Sequence, residues 1–230
     1  MRRFVVWLVV SLGVLAGCTE AVPRDGSARI LTMGDSMLAW HSGSRASVSH
    51  GVENILREPV VDRSVIGARV FYNLPISGAM GLNIAQQYRP GDWDFVIMNG
   101  GGNDLWLGCG CSRCDRRMDR MISANGRGGS IADTVNRIRR SGAQVIYVGY
   151  LRSPGVGSVI DHCSDEGNEL DRRLARMAKA DRGVHFISLQ DMVPYGDKSF
   201  HTADRIHPSA KASRQIAGRV AQIIERARPR

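Results

Sequence analysis

The chain has 230 residues, of which 43% are hydrophobic and 23% are charged, and its formal net charge is +9. A chain of this length can bury one sizeable core, so the composition excludes an intrinsically disordered protein and favours one enzyme-sized domain. The positive charge is compatible with a nucleic-acid partner. However, the basic residues form no stripe interleaved with aromatic residues, so we expect no such partner.

The start of the chain has the features of an export signal. Met1-Arg2-Arg3 is basic, the apolar stretch Phe4 to Val14 is short for a bilayer span, and Leu15-Ala16-Gly17-Cys18 follows it. This pattern resembles a bacterial lipobox, which implies cleavage before Cys18 and acylation of that residue. We therefore predict a lipoprotein signal peptide over 1–17 and a tether over 18–27. The alternative is an ordinary secretory signal with a chance cysteine.

From residue 28 onward, predicted strands alternate with predicted helices. The strands are short, apolar and partly β-branched, and they are predicted at 29–35, 60–66, 93–99, 144–150 and 184–189. The helices are predicted at 45–57, 79–88, 128–141, 165–181 and 208–227. This alternation predicts one domain over 28–230, an α/β fold in which a five-stranded sheet forms the middle of a three-layer α/β/α sandwich.

Three of the predicted strands are followed by short blocks of glycine and polar residues. Gly34-Asp35-Ser36 follows the first strand, Gly67 the second, and Gly102-Asn103-Asp104 the third. Parallel α/β sheets carry their chemistry at the carboxyl ends of the strands, so we expect these blocks to lie close together. Ser77-Gly78 could be the second block instead, but Gly67 is favoured because it directly follows a strand-like run.

A fourth block, Asp204-Arg205-Ile206-His207, precedes the last predicted helix. A serine hydroxyl becomes a competent nucleophile only beside a base, and an imidazole is the usual base. Asp204 lies three residues before His207 and can orient its ring through a hydrogen bond. The pattern therefore predicts a catalytic triad of Ser36, His207 and Asp204. Asp35 is expected to be structural.

The four blocks together resemble those of the SGNH (GDSL-type) esterase and lipase superfamily, and they span nearly all of residues 28–227. The resemblance implies a flavodoxin-like strand order 2-1-3-4-5 and hydrolysis of acyl esters without a metal or an organic cofactor. It also implies an oxyanion hole formed by the backbone N–H groups of Ser36 and Gly67 and by the side-chain amide of Asn103. Trp40 and Trp106 are expected to line the pocket or to pack in the core.

Beyond Cys18 the chain has four cysteines, Cys109, Cys111, Cys114 and Cys163. An even number in an exported protein predicts two disulfides, and all three pairings remain open. A close pair within 109–114 and a bridge to Cys163 would tie together two loops at the rim of the active site. The alternatives are a Cys₄ zinc site, because Cys111-x-x-Cys114 has ligand-like spacing, and a redox site at those two residues.

The sequence as a whole predicts a monomeric serine esterase that acts on a small-molecule, lipid or glycan ester. The lipid anchor at Cys18 would hold it to a bacterial membrane, facing the periplasm, with the outer membrane as the expected location. Two other functions are compatible with the pattern. An acyltransferase would use a glycan hydroxyl instead of water as the acceptor, and a binding or structural lipoprotein would keep the fold without turnover.

Overall fold

The computed structural model describes residues 27–72 and 78–228. The predicted signal peptide, Cys18 and all of the predicted tether except Ser27 lie outside the described residues. Ser77, part of the alternative second block, also lies outside them, whereas Gly78 is described.

Five short strands form one parallel sheet. They are β1 (Ile30–Met33), β2 (Val60–Asp62), β3 (Phe95–Met98), β4 (Gln144–Val148) and β5 (Val184–Ile187). Their order across the sheet is β2-β1-β3-β4-β5, and every neighbouring pair is parallel. The predicted fold class and strand order are therefore confirmed. The direction of the strand order reverses between β1 and β3, which is where such sheets open a crevice for ligands.

Helices cover both faces of the sheet. Within the described residues they are α1 (Ser36–Ala39), α2 (Val48–Leu56), α3 (Ile84–Gln87), α4 (Gly102–Cys109), α5 (Asp115–Met121), α6 (Ser130–Arg139), α7 (Ser164–Ala180) and α8 (Ala210–Ala227). None of these helices is long and apolar enough to cross a membrane.

Three of these helices were not predicted. Helix α1 has only four residues, and α4 begins with Gly102 and ends at Cys109, so neither carries a clear apolar period. Helix α5 follows within the cysteine-rich segment. The prediction at 79–88 was too long, because the helix starts only after Asn83, whose side chain accepts a hydrogen bond from the Gln86 N–H.

The sheet residues alternate between two cores. Val96 and Met98 of β3 pack on the side of α3 to α7, while Phe95 and Ile97 pack on the side of α1, α2 and α8. All four residues of β1 and all four of β3 are buried, as expected for central parallel strands that are covered on both faces. This double burial explains why the strands read as continuous apolar runs in the sequence.

The central strand should be the part of the domain most sensitive to truncation. Ile97 is 0% exposed in β3, so Ile97→Ala should lower the free energy of unfolding by roughly 2–5 kcal/mol through lost apolar burial and a residual cavity. Urea denaturation of the purified protein would measure the loss. The matched control is Ile55→Ala on α2, where isoleucine is 48% exposed and the change should stay within about 0.5 kcal/mol. Equal losses at the two sites would contradict this packing.

Candidate active site

The ends of the two central strands bring the first and third polar blocks together. Ser36 is the first residue of α1, directly after β1, and Asn103 lies in the first turn of α4, after β3. Both side chains line the same cavity. The predicted proximity of the two blocks therefore follows from the pairing of β1 with β3.

Asp35 fixes the turn that presents Ser36. Its Oδ1 accepts hydrogen bonds from the Met37 N–H at 3.0 Å and from the Asn99 side-chain amide at 2.8 Å. The Asp35 backbone N–H donates in return to Asn99 Oδ1 at 2.9 Å. Asp35 is thus the N-cap of α1 and is joined by two reciprocal bonds to the residue that follows β3. This contact set fits the predicted structural role.

A buried tyrosine completes the environment of Asp35. The Tyr150 hydroxyl donates a hydrogen bond to Asp35 Oδ2. Burial raises the pKa of the Asp35 carboxyl, and the bonds from Tyr150, Met37 and Asn99 oppose that rise only in part. Burial also raises the pKa of Tyr150 well above its usual value, with the neighbouring Asp35 adding to the effect. The tyrosine therefore stays a hydrogen-bond donor throughout the range in which proteins work.

Glycine is required before Asp35 because the chain passes very close to β3. A Cβ at position 34 would lie 1.9 Å from Asn99 Oδ1, and the φ of Gly34 is +150°. On the other side, the buried Gln87 accepts from the Gly34 N–H at 2.6 Å and donates to the Gly34 carbonyl at 2.8 Å. The loop that leads to Ser36 is therefore held from both sides by amide side chains.

The loop before α8 carries the predicted base and acid to Ser36. The distance from His207 Nε2 to Ser36 Oγ is 3.0 Å, and that from His207 Nδ1 to Asp204 Oδ2 is 2.6 Å. Both distances are hydrogen-bond distances, so the three side chains form a continuous relay. Ser36 is 7% exposed, and the His207 side chain is 20% exposed. Both residues line the cavity, so the small exposed part of each faces that space.

Asp204 also organises its own loop. Its Oδ1 accepts from the backbone N–H groups of Ile206 and His207 at 2.9 and 3.0 Å, and from the Thr202 hydroxyl at 2.7 Å. Partial burial would raise the pKa of Asp204, but the bonds from His207, Ile206 and Thr202 outweigh it and hold the pKa well below its usual range. The carboxyl is therefore ionised whenever it faces a charged imidazole.

Arg205, which directly follows Asp204, anchors this loop to another part of the chain. This residue has a positive φ of +59°, and its guanidinium donates to the carbonyls of Val156 and Gly157 at 3.0 and 2.8 Å. The Ser158 hydroxyl donates to the Arg205 carbonyl at 3.0 Å. These bonds tie the Asp204–His207 turn to the loop after β4.

Trp40 and His41, directly after α1, contact the loop that carries His207. The Trp40 ring stacks on the His207 imidazole, with the ring centroids 3.7 Å apart and the planes 1° from parallel. His41 Nε2 lies 3.0 Å from the Pro208 carbonyl oxygen. Trp40 was expected to line the pocket or to pack in the core; instead it covers one face of the predicted base.

The second block lies beside the first and the third. The Val65 N–H donates to the Gly34 carbonyl at 3.0 Å, and the Asn103 side-chain amide donates to the Ala68 carbonyl at 3.0 Å. Gly67 lies between these two contacts and has a φ of +80°, and among the described residues other than its chain neighbours no atom lies within 4 Å of the position a Cβ would take. The space on that side of Gly67 is open.

Gly78 has a different environment from Gly67. A Cβ there would lie 1.5 Å from Gln86 Oε1, beside α3, and the Gly78 carbonyl accepts a hydrogen bond from the Gly81 N–H. The residues on either side of Gly67 contact the first and third blocks, through Val65 with Gly34 and through Ala68 with Asn103, and this placement favours Gly67 as the second block.

Asp104 holds the second block in place. Its two carboxylate oxygens accept from the backbone N–H groups of Val70 and Phe71 at 2.8 and 2.9 Å. Burial raises the pKa of Asp104, and the Phe71 and Val70 bonds oppose that rise in part. The residue after Asn103 is therefore an anchor for the loop from β2, a role that the sequence pattern did not identify.

A cavity of about 600 Å³ opens from Ser36 and His207 toward the side of β4 and β5. Its wall is mainly apolar and includes Leu105, Trp106, Ile160 and Leu170. The volume lies in the range of pockets that bind drug-sized molecules. Trp106 thus lines the pocket, which is one of the two positions expected for it.

The arginine in the cavity wall is already neutralised. Arg152 donates to Asn168 Oδ1 from two nitrogens, to the Tyr150 carbonyl at 3.0 Å and to Asp171 Oδ2 at 3.0 Å. Asp171 is buried, so this ion pair is a fixed part of the wall. Arg152 therefore offers little to an anionic substrate.

Two disulfides stiffen this wall. Cys109 is bonded to Cys114, and Cys111 is bonded to Cys163, across 5 and 52 residues of sequence respectively. Cys111 and Cys163 both line the cavity. The long bridge joins the segment between α4 and α5 to the residue before α7, so it ties the loop after β3 to the loop after β4 at the pocket rim.

The same bonds bear on the zinc and redox alternatives. In the part of the chain that the structure describes, the side chains close enough to share a metal ion are Cys111, His162 and Cys163. Two of these are joined in a disulfide, so they supply no thiolate for a zinc site. Cys111 and Cys114 are bonded to other cysteines, not to each other, which is not the pairing of a Cys-x-x-Cys redox site.

Comparison with known proteins gives one family match. A family model for GDSL-like lipases and acylhydrolases matches residues 32–215. The comparison with curated proteins gives no match.

Several solved structures share the fold. A protein from Slackia heliotrinireducens, provisionally classed as an SGNH hydrolase, is 20% identical, with a TM-score of 0.60 over 86% of this chain and 99% of its own. A GDSL-like lipase from Bacteroides thetaiotaomicron is 16% identical, with a TM-score of 0.59 over 90% and 93%. A carbohydrate acetylesterase family member from Sinorhizobium meliloti is 12% identical, with a TM-score of 0.58 over 86% and 98%. At these identities the likeness concerns the fold alone.

The two disulfides should contribute unequally to stability. In the chain-entropy description, a bond that closes 52 residues restricts the unfolded chain more than one that closes 5, by about 4 against about 2 kcal/mol. The double variant Cys111→Ala with Cys163→Ala should therefore unfold at a lower denaturant concentration than Cys109→Ala with Cys114→Ala. Denaturation of both variants under non-reducing conditions measures the difference. A larger loss for the short bridge would contradict the chain-entropy account of this pair.

Proposed function

Since the chain belongs to the GDSL-like lipase/acylhydrolase family, we propose that it is a serine hydrolase that cleaves carboxylic esters through an acyl-Ser36 intermediate. The observation that carries the proposal is the relay from Ser36 Oγ through His207 to Asp204, with contacts of 3.0 and 2.6 Å. A hydroxyl, an imidazole and a carboxylate in this order are the parts that acyl transfer requires.

In the first half of the reaction, Ser36 Oγ attacks the carbonyl carbon of the ester. His207 Nε2 takes the hydroxyl proton as the new C–O bond forms, and Asp204 keeps the ring in the tautomer whose Nε2 can accept it. The tetrahedral intermediate then collapses. The bond to the alcohol oxygen breaks, and that oxygen leaves with the proton from His207.

In the second half, water replaces the alcohol. His207 takes a proton from the water as its oxygen attacks the acyl carbon, and returns that proton to Ser36 Oγ when the carboxylic acid departs. The cycle needs no electron transfer and no metal-bound nucleophile.

We assign the oxyanion hole to the backbone N–H groups of Ser36 and Gly67 and to the side-chain amide of Asn103. Asn103 donates one amide hydrogen to the Ala68 carbonyl, which leaves its second hydrogen for the developing oxyanion. Gly67 contributes open space on the side where a Cβ would stand. Donors set in place before the reaction stabilise the developing charge without reorganisation.

The cavity supports an uncharged acyl group as the ligand. Its wall is mainly apolar, and Arg152 is paired with Asp171, so an acyl chain finds contact area without a free cation beside it. Lipid, thioester and glycan esters all satisfy this requirement. We expect the acyl portion to occupy the cavity and the alcohol portion to leave toward solvent.

An acyltransferase with a glycan hydroxyl as acceptor uses the same acyl-Ser36 intermediate, and the products distinguish it from a hydrolase. The absence of turnover would instead indicate a binding or structural lipoprotein. The set of contacts around His207 argues against that last reading, because binding alone needs no serine–imidazole–carboxylate relay.

The test is hydrolysis of p-nitrophenyl acetate, butyrate and octanoate. We expect measurable turnover by the wild-type protein and background turnover by Ser36→Ala, since the nucleophile is gone. Asn103→Ala should lower kcat by roughly 10²–10³, because one oxyanion donor is lost. Circular dichroism verifies that both variants are folded.

Wild-type activity that survives in Ser36→Ala would rule out the proposed nucleophile. Activity that appears only when a glycan is added, with acylated glycan in excess over free acid, would replace the hydrolase by the transferase. The ratio of rates on the three esters measures how much acyl chain the cavity accepts.

We also propose that the enzyme is anchored through Cys18 and faces the periplasm of a bacterial envelope. The lipobox-like Leu15-Ala16-Gly17-Cys18 motivates the anchor, and the two disulfides support an oxidising compartment. A monomer remains our expectation for the oligomeric state.

In bacterial cells fed a labelled fatty acid, the full-length protein should acquire the label and sediment with membranes. Cys18→Ser should lose both properties, because no thiol remains to be acylated. Cys163→Ser is the matched control and should keep the label. Label retained by Cys18→Ser would exclude that residue as the anchor.

A further inference from the structure

The ring of Trp40 covers one face of the His207 imidazole. The centroids are 3.7 Å apart and the planes differ by 1°. Trp40 lies four residues after Ser36, and its backbone N–H donates to the Ser36 carbonyl at 2.9 Å. The short helix that presents the nucleophile therefore also sets the position of the indole over the base.

A second contact reinforces the first. His41, next in sequence, has a φ of +68°, and its Nε2 lies 3.0 Å from the Pro208 carbonyl oxygen. A carbonyl oxygen can only accept, so this nitrogen donates. The pair Trp40 and His41 thus contacts both His207 and Pro208, so the end of α1 is joined to the loop that carries the imidazole at two points.

The stacking geometry distinguishes the two charge states of the imidazole. Parallel planes with centroids only 3.7 Å apart leave little lateral offset, and two neutral aromatic rings disfavour this arrangement because their electron-rich faces repel. A cation over the same face is attracted, and indole gives the strongest such attraction among the aromatic side chains. The contact therefore favours the imidazolium over the neutral ring.

We propose that Trp40 is a positioning residue for the catalytic base, acting through His207 in two ways. Its flat contact holds the imidazole plane in line with Ser36 and Asp204, and its π face stabilises the imidazolium that forms when the Ser36 proton is taken. The kinetic part of this inference rests on the proposed function. The electrostatic part concerns the ring pair alone.

Other charged and titratable groups also face the imidazolium or its loop. Asp204 contacts Nδ1, and the buried Asp35 carboxyl is near enough for the His207 charge to lower its pKa. His41 bonds Pro208, and the buried His201 pairs with Pro208 through a β-bridge. The Arg205 guanidinium is turned to the carbonyls of Val156 and Gly157. All of these groups remain when only Trp40 is changed.

The test compares wild-type protein with Trp40→Leu and Trp40→Phe. Leucine keeps an apolar side chain over the ring but has no π face, while phenylalanine keeps a π face. For Trp40→Leu we expect the His207 ring, followed by NMR, to titrate about 0.7 pH unit lower, because the imidazolium has lost its support. We expect kcat/KM to fall about fivefold through kcat, with KM nearly unchanged. Both values correspond to about 1 kcal/mol.

In Trp40→Phe, the downward shift of the His207 titration and the fall in kcat/KM should each be less than half of those in Trp40→Leu. The acidic limb of the activity profile should move with the NMR titration, toward lower pH in Trp40→Leu. The matched control is Tyr195→Leu, which removes an aromatic ring that is 84% exposed and makes no ring contact with His207. Its titration and its activity should equal those of the wild type.

A lower kcat in Trp40→Leu with an unchanged His207 titration would overturn the proposal, since Trp40 would then act only by packing against the ring. An equal shift in Tyr195→Leu would also overturn it. If the NMR shift occurs but the wild-type protein hydrolyses no ester, the electrostatic part holds and the proposed function fails instead. Should Trp40→Leu not fold, Trp40→Met supplies the apolar side chain without a π face.

Discussion

The position of Ser36 depends on the reciprocal hydrogen bonds between Asp35 and Asn99. These bonds join the ends of β1 and β3, the two strands between which the sheet reverses its order. Asp35 then caps the short helix that begins with Ser36. A buried carboxyl is costly unless its oxygens are satisfied, and Tyr150 supplies the remaining donor. The nucleophile turn is therefore supported from the three central strands, since Tyr150 follows β4.

His207 reaches Ser36 from much later in the chain, and its loop is held by contacts of a different kind. Asp204 closes the turn on itself through backbone N–H groups and also orients the imidazole. Arg205 ties the turn to the loop after β4, and Trp40 ties it back to the nucleophile helix. Because each contact acts from another direction, the His207 ring has little freedom to rotate. Such fixed geometry is what acyl transfer gains from a folded site.

The cavity takes its shape from elements that the family resemblance does not specify. Helix α4, the disulfide between Cys111 and Cys163 and the first half of α7 form its wall on the side of β3 and β4. A mainly apolar wall stapled in this way keeps one shape instead of adapting to each ligand. The shape of the cavity therefore depends on this part of the chain, while the positions of Ser36 and Asn103 depend on the strand ends.

The sequence by itself determined the alternation of strands and helices that builds the sheet and indicated the residues of the proposed triad, while the strand order was implied by the family resemblance. Buried parallel strands must be continuously apolar, and the polar blocks that follow them can only lie at the carboxyl edge. Local patterns did not predict α4 or α5, because Gly102–Cys109 and the cysteine-rich segment after it carry no apolar period. The bonds of Asp35 with Asn99 and Tyr150, the anchoring roles of Asp104 and Arg205, and the stacking of Trp40 on His207 were decided by the tertiary structure alone. Each of these contacts joins residues that are far apart in the chain, and their distance and orientation exist only once the strands are paired and both faces of the sheet are covered.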